Sequence, residues 1–233
     1  MGPATTKDPI ECSLVDYAYR EIRKRIQIGT YPPGSRLSTQ EISTALGVSR
    51  TPVVAALNRL VAEGIAEAIP RRGVYVLRLS SKKIRDLIEA RIMIELYSVK
   101  PAIQNKVFYP EIIQHMENME NLLVSFDNMG DYDYERASEA EYQFHYSIVC
   151  LSGNDELKKM YNANWGIGAT YYMYSSAHIP LSLRIGAMQG HSLILKLLKK
   201  GDISGLEDTL RDHIVDALRC LNWIIDTNPE NFG

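Results

Sequence analysis

From residue 82 to residue 226, apolar residues recur at helical spacing and almost no strand signal interrupts them. Prolines, glycines and short polar runs divide this region into six predicted helices, near 82–105, 110–128, 133–150, 155–177, 182–200 and 204–226. Each helix has an apolar stripe that must be buried against its neighbours. The pattern therefore predicts an antiparallel six-helix bundle around one core, with room for a buried pocket.

The segment before this region carries a different order of signals. An amphipathic helix with a basic outer face contains Leu14, Ala18, Ile22 and Ile26 and ends at Gly29. A second helix begins at the capping pair Ser38 and Glu41 and stops at Gly47. Ser49 is expected to cap a third helix, which has Pro52 in its first turn. Apolar runs on both sides of Arg71-Arg72-Gly73 then predict a β-hairpin.

Together these signals predict a mostly α-helical protein of two domains. Residues 1–79 form a winged helix-turn-helix domain, and residues 80–233 form the helical bundle. The charge is divided in the same way. Residues 1–79 contain 11 Lys and Arg and 7 Asp and Glu, whereas residues 80–233 contain 15 Lys and Arg and 21 Asp and Glu. A basic N-terminal domain and an acidic C-terminal domain are typical of a nucleic-acid-binding domain joined to a domain with a different function.

Composition excludes several other classes of protein. Hydrophobic residues make up 45% of the chain and charged residues 23%, which is typical of a core-forming chain. No apolar run approaches the roughly 18 residues of a membrane span, and residues 1–9 lack the apolar centre of a signal peptide. The three cysteines are far apart and odd in number, so no disulfide framework is expected. These features predict a cytoplasmic protein with no membrane partner.

The helix after the tight turn has the geometry of a DNA-reading element. Such a helix can enter a major groove about 12 Å wide and present its first residues to base edges. A helical hairpin that binds protein is the alternative interpretation of the same pattern.

Four ionisable residues lie on helix faces that should be apolar. Glu141 and His145 are four residues apart and share one side of the third predicted bundle helix. His191 and His213 lie on the apolar stripes of the fifth and sixth. A shared divalent cation would satisfy all four, and zinc, nickel, manganese and iron suit this ligand set. The alternative is that the histidines are hydrogen-bonded core residues.

The front segment resembles the GntR family of bacterial transcription regulators. The resemblance lies in Tyr31-Pro-Pro-Gly-Ser-Arg-Leu37, in Leu46-Gly-Val-Ser-Arg-Thr-Pro-Val53 and in Arg72-Gly-Val74. It implies that Arg36 contacts phosphate, that Gly73 approaches the minor groove, and that Ser49, Arg50 and Thr51 face the major groove. The family commonly has a base-reading arginine where this chain has Val54. Base reading then depends mainly on Arg50.

The body resembles the FadR C-terminal effector domain, the FCD subgroup of the same family. The matching residues are Glu141-Tyr-Gln-Phe-His145, Ser152-Gly-Asn154, Gly190-His191 and Asp212-His213. The resemblance implies that the four inward-facing residues bind metal. The usual first carboxylate of the family is Asp, so the extra methylene of Glu141 shifts the ligating oxygen.

Two arginines are candidate effector-binding residues. The resemblance implies that Arg91 points into the effector cavity, although a salt bridge to Glu95 at i+4 is equally compatible with helix geometry. Arg184 lies two turns before His191 on the same predicted face.

The leading hypothesis is a homodimeric, ligand-responsive transcription regulator that is not an enzyme. It would bind a near-palindromic operator in double-stranded DNA and respond to a small carboxylate. The alternatives are a metal-dependent hydrolase with a DNA-binding module, and a regulator with a metal-free structural body.

Overall fold

The structure of the chain is a computed structural model that describes residues 13–78, 80–104, 110–127, 134–165 and 190–227. The front part contains α1 (Leu14–Gln27), α2 (Thr39–Leu46), α3 (Arg50–Ala62), β1 (Ala66–Ile69) and β2 (Gly73–Val76). The rear part contains α4 (Ser81–Gln104), α5 (Pro110–Asp127), α6 (Tyr134–Cys150), α7 (155–165), α8 (Gly190–Lys200) and α9 (Ile203–Thr227). Arg184 and parts of the predicted helices 155–177 and 182–200 lie outside the described residues.

Local signals in the sequence set the boundaries of the helix-turn-helix. The Ser38 side chain accepts a hydrogen bond from the backbone N–H of Glu41, which caps the start of α2. Gly47 ends α2 in the left-handed conformation, with φ of 66°. This conformation is costly for a residue with a Cβ, so glycine permits the tight turn into α3.

The hairpin completes the winged helix-turn-helix. Strands β1 and β2 pair antiparallel, with Ala66 opposite Val76 and Ile69 opposite Gly73. Helix α1 packs on α3, and α3 packs on both α2 and β1. The core between these elements is apolar and almost completely buried, and includes Ile22, Ile42 and Leu60. This core holds the start of α3 in a fixed orientation at the surface of the front domain.

All the secondary-structure elements described in the rear domain are helices, joined by short turns. Helix α5 packs on α6, α4 packs on α6 and α9, and α8 packs on α9 and α5. Phe144, Ile148, Leu195 and Leu210 are buried in the shared core. The predicted fold class, a mostly helical protein with a small two-stranded wing, is confirmed. Pro101 lies inside α4, and the helix continues past it to Gln104.

None of the described helices is both long enough and apolar enough to cross a lipid bilayer.

Candidate functional site

Four side chains from three helices meet inside the rear domain. Helix α6 supplies Glu141 and His145, α8 supplies His191, and α9 supplies His213; one ligating atom of each lies within 4.8 Å of all the others. The Nε2 atom of His145 is 3.0 Å from that of His213 and 3.3 Å from that of His191. All four residues are buried. The structure therefore brings together the complete set of predicted metal ligands.

The carboxylate of Glu141 lies among the three imidazoles. Its Oε1 atom is 3.2 Å from His145 Nε2 and 4.0 Å from His213 Nε2, and its Oε2 atom is 3.2 Å from His191 Nε2. The three histidines thus all present the same ring nitrogen to one carboxylate.

A second carboxylate fixes the orientation of His145. The Nδ1 atom of His145 lies 2.7 Å from Glu95 Oε2, and Glu95 Oε1 accepts a 2.7 Å hydrogen bond from Arg91 Nε. A carboxylate behind a histidine holds the Nδ1 proton and leaves Nε2 free to bind a metal. Arg91 Nη2 is also 3.8 Å from Glu141 Oε1. The sequence-based alternative for Arg91, a salt bridge to Glu95, is therefore present.

Both buried carboxylates remain ionised in this setting. Burial alone would raise the pKa of Glu141, but the charges of His191 and His145 outweigh burial and hold that pKa well below its usual range. Burial likewise favours a higher pKa for Glu95, and the charges of His145 and Arg91 outweigh it and lower that pKa. The candidate metal centre, formed by Glu141, His145, His191 and His213 with Glu95 behind His145, thus presents negative charge to a cation.

The pKa values of His145 and His213 shift in opposite directions. Burial and Arg91 act to lower the pKa of His145, but Glu95 and Glu141 outweigh them and raise it. Burial, followed by the charges of His191 and His145, pushes the pKa of His213 well below its usual value. These two directions favour a proton on His145 over a proton on His213. A proton on His145 Nε2 and a metal ion would compete for that nitrogen, so ion binding is expected to weaken as the pH falls.

The distances from His145 Nε2 to the other two imidazoles suit ligands of one transition-metal ion. An ion about 2.1 Å from each nitrogen would hold neighbouring ligand atoms roughly 3.0–3.4 Å apart. The two His145 pairs, at 3.0 and 3.3 Å, have this spacing. Imidazole and carboxylate donors together suit zinc, nickel, manganese and iron. The longer Glu141 side chain, in place of the Asp that the resemblance implied, still reaches the group.

Gly190 lets α8 approach the ring of His213. A Cβ atom at this position would lie 2.4 Å from His213 Nδ1 and 2.9 Å from His213 Cγ. Ordinary carbon contacts are roughly 3.5–4.0 Å, so the imidazole would have to move. The glycine directly before His191 thus positions the histidine of another helix.

We expect Gly190→Ala to weaken metal binding by roughly tenfold or more, in the range found when the surroundings of a metal ligand are altered. The added methyl group displaces the His213 ring from the other ligands. Zinc titration against a chromogenic chelator measures the change. Leu193→Ala, an exposed position on the same helix, is the control and should bind zinc like the wild type; equal affinity in both variants would contradict the packing role of Gly190.

The predicted DNA-contact residues of α3 lie on the surface. Ser49, Arg50 and Thr51 are exposed at the start of the helix. Ser49 occupies the N-cap position, but within the described chain its side chain makes no capping hydrogen bond, contrary to the sequence expectation. The guanidinium of Arg50 donates from Nη2 to Gln40 Oε1 on α2. Gln40, which the sequence analysis did not single out, thus orients the principal base-reading candidate.

The remaining contact candidates lie at the wing and one turn along α3. Arg36 is exposed, and its backbone forms an isolated antiparallel β-bridge with Tyr75 of β2. Its Nε atom lies 3.4 Å from the position that a Cβ of Gly73 would take, so the two predicted residues are neighbours. Val54 is 45% exposed. It presents an apolar surface where the family resemblance implies an arginine.

Two buried residues that interact with the ligand group were not predicted from the sequence. The sequence indicated Glu95 only as a salt-bridge partner of Arg91. Its contact with His145 joins residues that are 50 positions apart in the sequence. Tyr161 of α7 is completely buried, and its phenol interacts electrostatically with Glu95, Arg91 and Glu141. Glu95 could have been identified as an acidic residue on the inward face of α4. For Tyr161, helical spacing indicates a core position and nothing more.

The chain matches two family models. Residues 14–76 match the model described as "Bacterial regulatory proteins, gntR family", and residues 86–216 match the FCD domain. The two matches cover the winged helix-turn-helix and the helical body respectively.

Individual relatives match over different lengths. The Nta operon transcriptional regulator of Aminobacter aminovorans is 31% identical over 129 residues, which cover 55% of this chain and only 59% of that protein. The HTH-type transcriptional regulator McbR of Escherichia coli (strain K12) is 26% identical over 86% of this chain and 89% of its own length. The solved structure of E. coli McbR/YncC has a TM-score of 0.73 at 23% identity and covers 91% of this chain and 98% of that one. This structural likeness supports the fold.

Proposed function

Since the chain belongs to the GntR family of bacterial regulatory proteins and carries an FCD domain, we propose that it is a ligand-responsive transcription regulator. In this proposal the front domain binds operator DNA, and the rear domain binds a divalent metal ion together with a small carboxylate effector. The observation that carries the proposal is the presence of both sites in one chain: exposed contact residues on α3, and a buried group of one glutamate and three histidines.

The DNA half of the proposal assigns roles by position. Arg50, with Ser49 and Thr51, faces the major groove, while Arg36 and Gly73 engage the backbone and the minor groove at the wing. Val54 offers only an apolar surface, which suits a thymine methyl group. Two copies of the chain in a cytoplasmic homodimer would place two α3 helices about one DNA turn apart, so the operator is a near-palindrome.

The effector half of the proposal depends on the metal centre. A bound divalent ion would supply positive charge and open coordination positions for a carboxylate. Arg91 is buried beside Glu141, and its guanidinium keeps an Nη2 atom directed toward this region. Arg184 remains a second candidate by sequence position alone. The effector acts as a switch only if it binds the DNA-competent and DNA-incompetent arrangements unequally.

The hydrolase alternative needs a carboxylate free to act as a general base. Among the described residues, Glu95 is the additional buried carboxylate in this region, but Arg91 occupies its Oε1 atom and His145 its Oε2 atom. A base engaged on both oxygens is poorly placed to take a proton from water. The geometry of Glu95 therefore supports a binding role for the centre over hydrolysis.

Selection of bound duplexes from a random DNA pool tests the proposal. The full chain should enrich a near-palindromic sequence, and its affinity for that sequence should fall steeply with rising salt. Adding small carboxylates to the metal-loaded protein should then change its affinity for the selected duplex. A pool that remains random after repeated selection would overturn the DNA-binding proposal.

We expect Arg50→Ala to weaken binding to the selected duplex by between about fivefold and about 150-fold, the cost of losing one good base contact. The loss should be confined to one base position in each half-site, because a guanidinium reads a single guanine. Gel-shift titration against duplexes substituted at each position measures both effects.

Arg85→Ala is the matched control for this variant. Arg85 is also exposed, but it lies on α4 in the rear domain, so its loss should leave the affinity for DNA unchanged. Unaltered binding by Arg50→Ala would refute the base-reading role.

A further inference from the structure

A cleft lies between the front domain and the rear domain. Its front wall contains Tyr19 and Arg23 of α1 and Glu63 after α3, and its rear wall contains Tyr142 of α6 and Ala163 and Trp165 of α7. The larger part of this interdomain cleft has a volume of about 620 Å³, and an adjoining part has about 410 Å³. Ligand pockets typically measure roughly 300–1,000 Å³ and occur preferentially at domain interfaces. The size and place of the cleft are therefore typical of a small-molecule site.

Arg23 is an incompletely paired cation in this cleft. Its Nη1 atom donates to Tyr19 Oη at 3.2 Å, but its Nε atom is buried and has no hydrogen-bond partner among the described residues. Glu63, the carboxylate near these two side chains, accepts from Tyr19 with one oxygen and from Arg59 with the other. A buried donor on a charged group is costly without an acceptor. The guanidinium of Arg23 therefore has an unused donor for an anion.

The smaller part of the interdomain cleft has a surplus of positive charge among its described residues. Three arginines, Arg20, Arg23 and Arg136, line it together with one carboxylate, that of Glu139. The Oε1 atom of this carboxylate accepts a 2.7 Å hydrogen bond from Gln143. A cleft in which one sign of charge predominates concentrates ions of the opposite sign. The charge distribution therefore also favours an anion.

Aromatic side chains border the cleft on both walls. Tyr142 and Trp165 of the rear wall have ring centroids 5.6 Å apart, and Tyr19 lies on the front wall. Such rings make favourable stacked and edge-to-face contacts with other aromatic rings. The walls of the cleft therefore suit a planar aromatic molecule.

We propose that the interdomain cleft is a second ligand site, which binds a planar aromatic anion through Arg23. The anionic group, a carboxylate or a phosphate, accepts hydrogen bonds from the guanidinium, and the ring lies against the aromatic side chains. Both domains build the site, so one ligand contacts them both. None of the four candidate metal ligands lines this cleft, and the inference does not depend on the proposed function.

Calorimetric titration of the metal-depleted full chain tests the proposal. The probes are 2-naphthoate and 2-naphthyl phosphate, with 2-naphthamide as the uncharged reference and decahydro-2-naphthoate as the non-planar reference. We expect the better anion to bind at least about tenfold more tightly than the amide, because hydrogen bonds between ionised partners are stronger than neutral ones. The decahydro acid should bind more weakly than 2-naphthoate, because saturated rings do not stack. The comparison between the two anions identifies the preferred anionic group.

The variant Arg23→Gln should lose the preference for the charged probes. We expect its affinity for the better anion to fall by about tenfold or more, while its affinity for 2-naphthamide stays at the wild-type value. Arg25→Gln is the matched control, because Arg25 lies on the same helix, is near Tyr31 Oη at 3.5 Å and does not line the cleft. This control should bind all four probes like the wild type.

The variant Ala163→Trp tests the rear wall independently. Ala163 is exposed and lines the cleft, so a bulky side chain there fills the site and should abolish binding of both anions. Met160→Trp is the control, because Met160 is 58% exposed on the same helix and does not line the cleft. The two blocking variants lie in different domains, so a loss in both is not explained by local unfolding of one.

Several results would overturn the proposal. They are failure of both anions to bind, equal binding of the amide, equal or tighter binding of the decahydro acid, and unchanged affinity in Arg23→Gln or in Ala163→Trp. Binding that appears only after zinc is added would assign the anion to the metal centre and overturn the proposal as well. Each of these results leaves the proposed function standing, because that function depends on α3 and on the metal centre.

Discussion

Replacing Arg91 by methionine is expected to destabilise the rear domain by about 3–5 kcal/mol, the cost of leaving one member of a buried ion pair without its partner. Arg91 and Glu95 are almost completely buried and meet at 2.7 Å. Without the guanidinium, Glu95 keeps its charge in the protein interior, and His145 is its remaining side-chain partner among the described residues. Urea unfolding of the metal-depleted full chain measures the loss. Both tryptophans, Trp165 and Trp223, lie in the rear half, so their fluorescence reports that half selectively.

The same helix offers a matched control for this prediction. Lys82 and Asp86 form an ion pair of the same i,i+4 spacing at 2.7 Å on α4, but they are exposed. Lys82→Met should therefore cost less than about 1 kcal/mol. In the double variant Arg91→Met/Glu95→Gln, much of the stability should return because the unpaired charge is gone. A loss below about 1 kcal/mol for Arg91→Met would contradict the buried-pair interpretation.

Replacing His145 by alanine is expected to reduce the affinity for zinc by at least about a hundredfold, because a direct ligand contributes more than the outer contacts whose loss costs 10–100-fold. His145 Nε2 lies at the centre of the ligand group, within 3.3 Å of Glu141, His191 and His213. The metal content is measured by elemental analysis of protein purified without a chelator and without a nickel column. We expect about one metal ion per chain for the wild type and close to none for the variant.

His115→Ala is the control for the metal measurement. His115 is exposed on α5, and its removal should leave the metal content unchanged. Chelator should also lower the thermal midpoint of the wild type and of this control, because an ion that binds only the folded state stabilises it. Wild-type protein that takes up no zinc or manganese would favour the metal-free alternative, in which the histidines only hydrogen-bond.

The sequence predicted the inward faces of the helices well. Glu141 and His145 follow from i,i+4 spacing on one helix, and His191 and His213 follow from the apolar stripes around them. Their meeting at one point required the arrangement of α6, α8 and α9 around the shared core, which the resemblance to the FCD domain implied and periodicity alone did not. The sequence signals for the winged helix-turn-helix are more local, because capping residues and glycine turns set the boundaries of its elements.

The contacts that sequence reasoning missed all depend on tertiary packing. Glu95 faces inward by helix periodicity, but its partner His145 lies on another helix. The importance of Gly190 comes from the space that it leaves for His213, a residue 23 positions away. Gln40 meets Arg50 across the tight turn. In each case one residue's position follows from its own helix, and the contact follows from a second element.

The spread of the ligand set along the chain has a consequence for biosynthesis. The two ligands of α6, Glu141 and His145, leave the ribosome well before His191, and His213 of α9 follows last. A nascent chain that ends before α9 would offer an incomplete chelate, so tight capture of the proposed ion would await synthesis of α9. In the proposed metal-binding regulator, metal loading would mark chains in which α9 has docked, and a ribosome-stalled fragment lacking α9 would remain without metal.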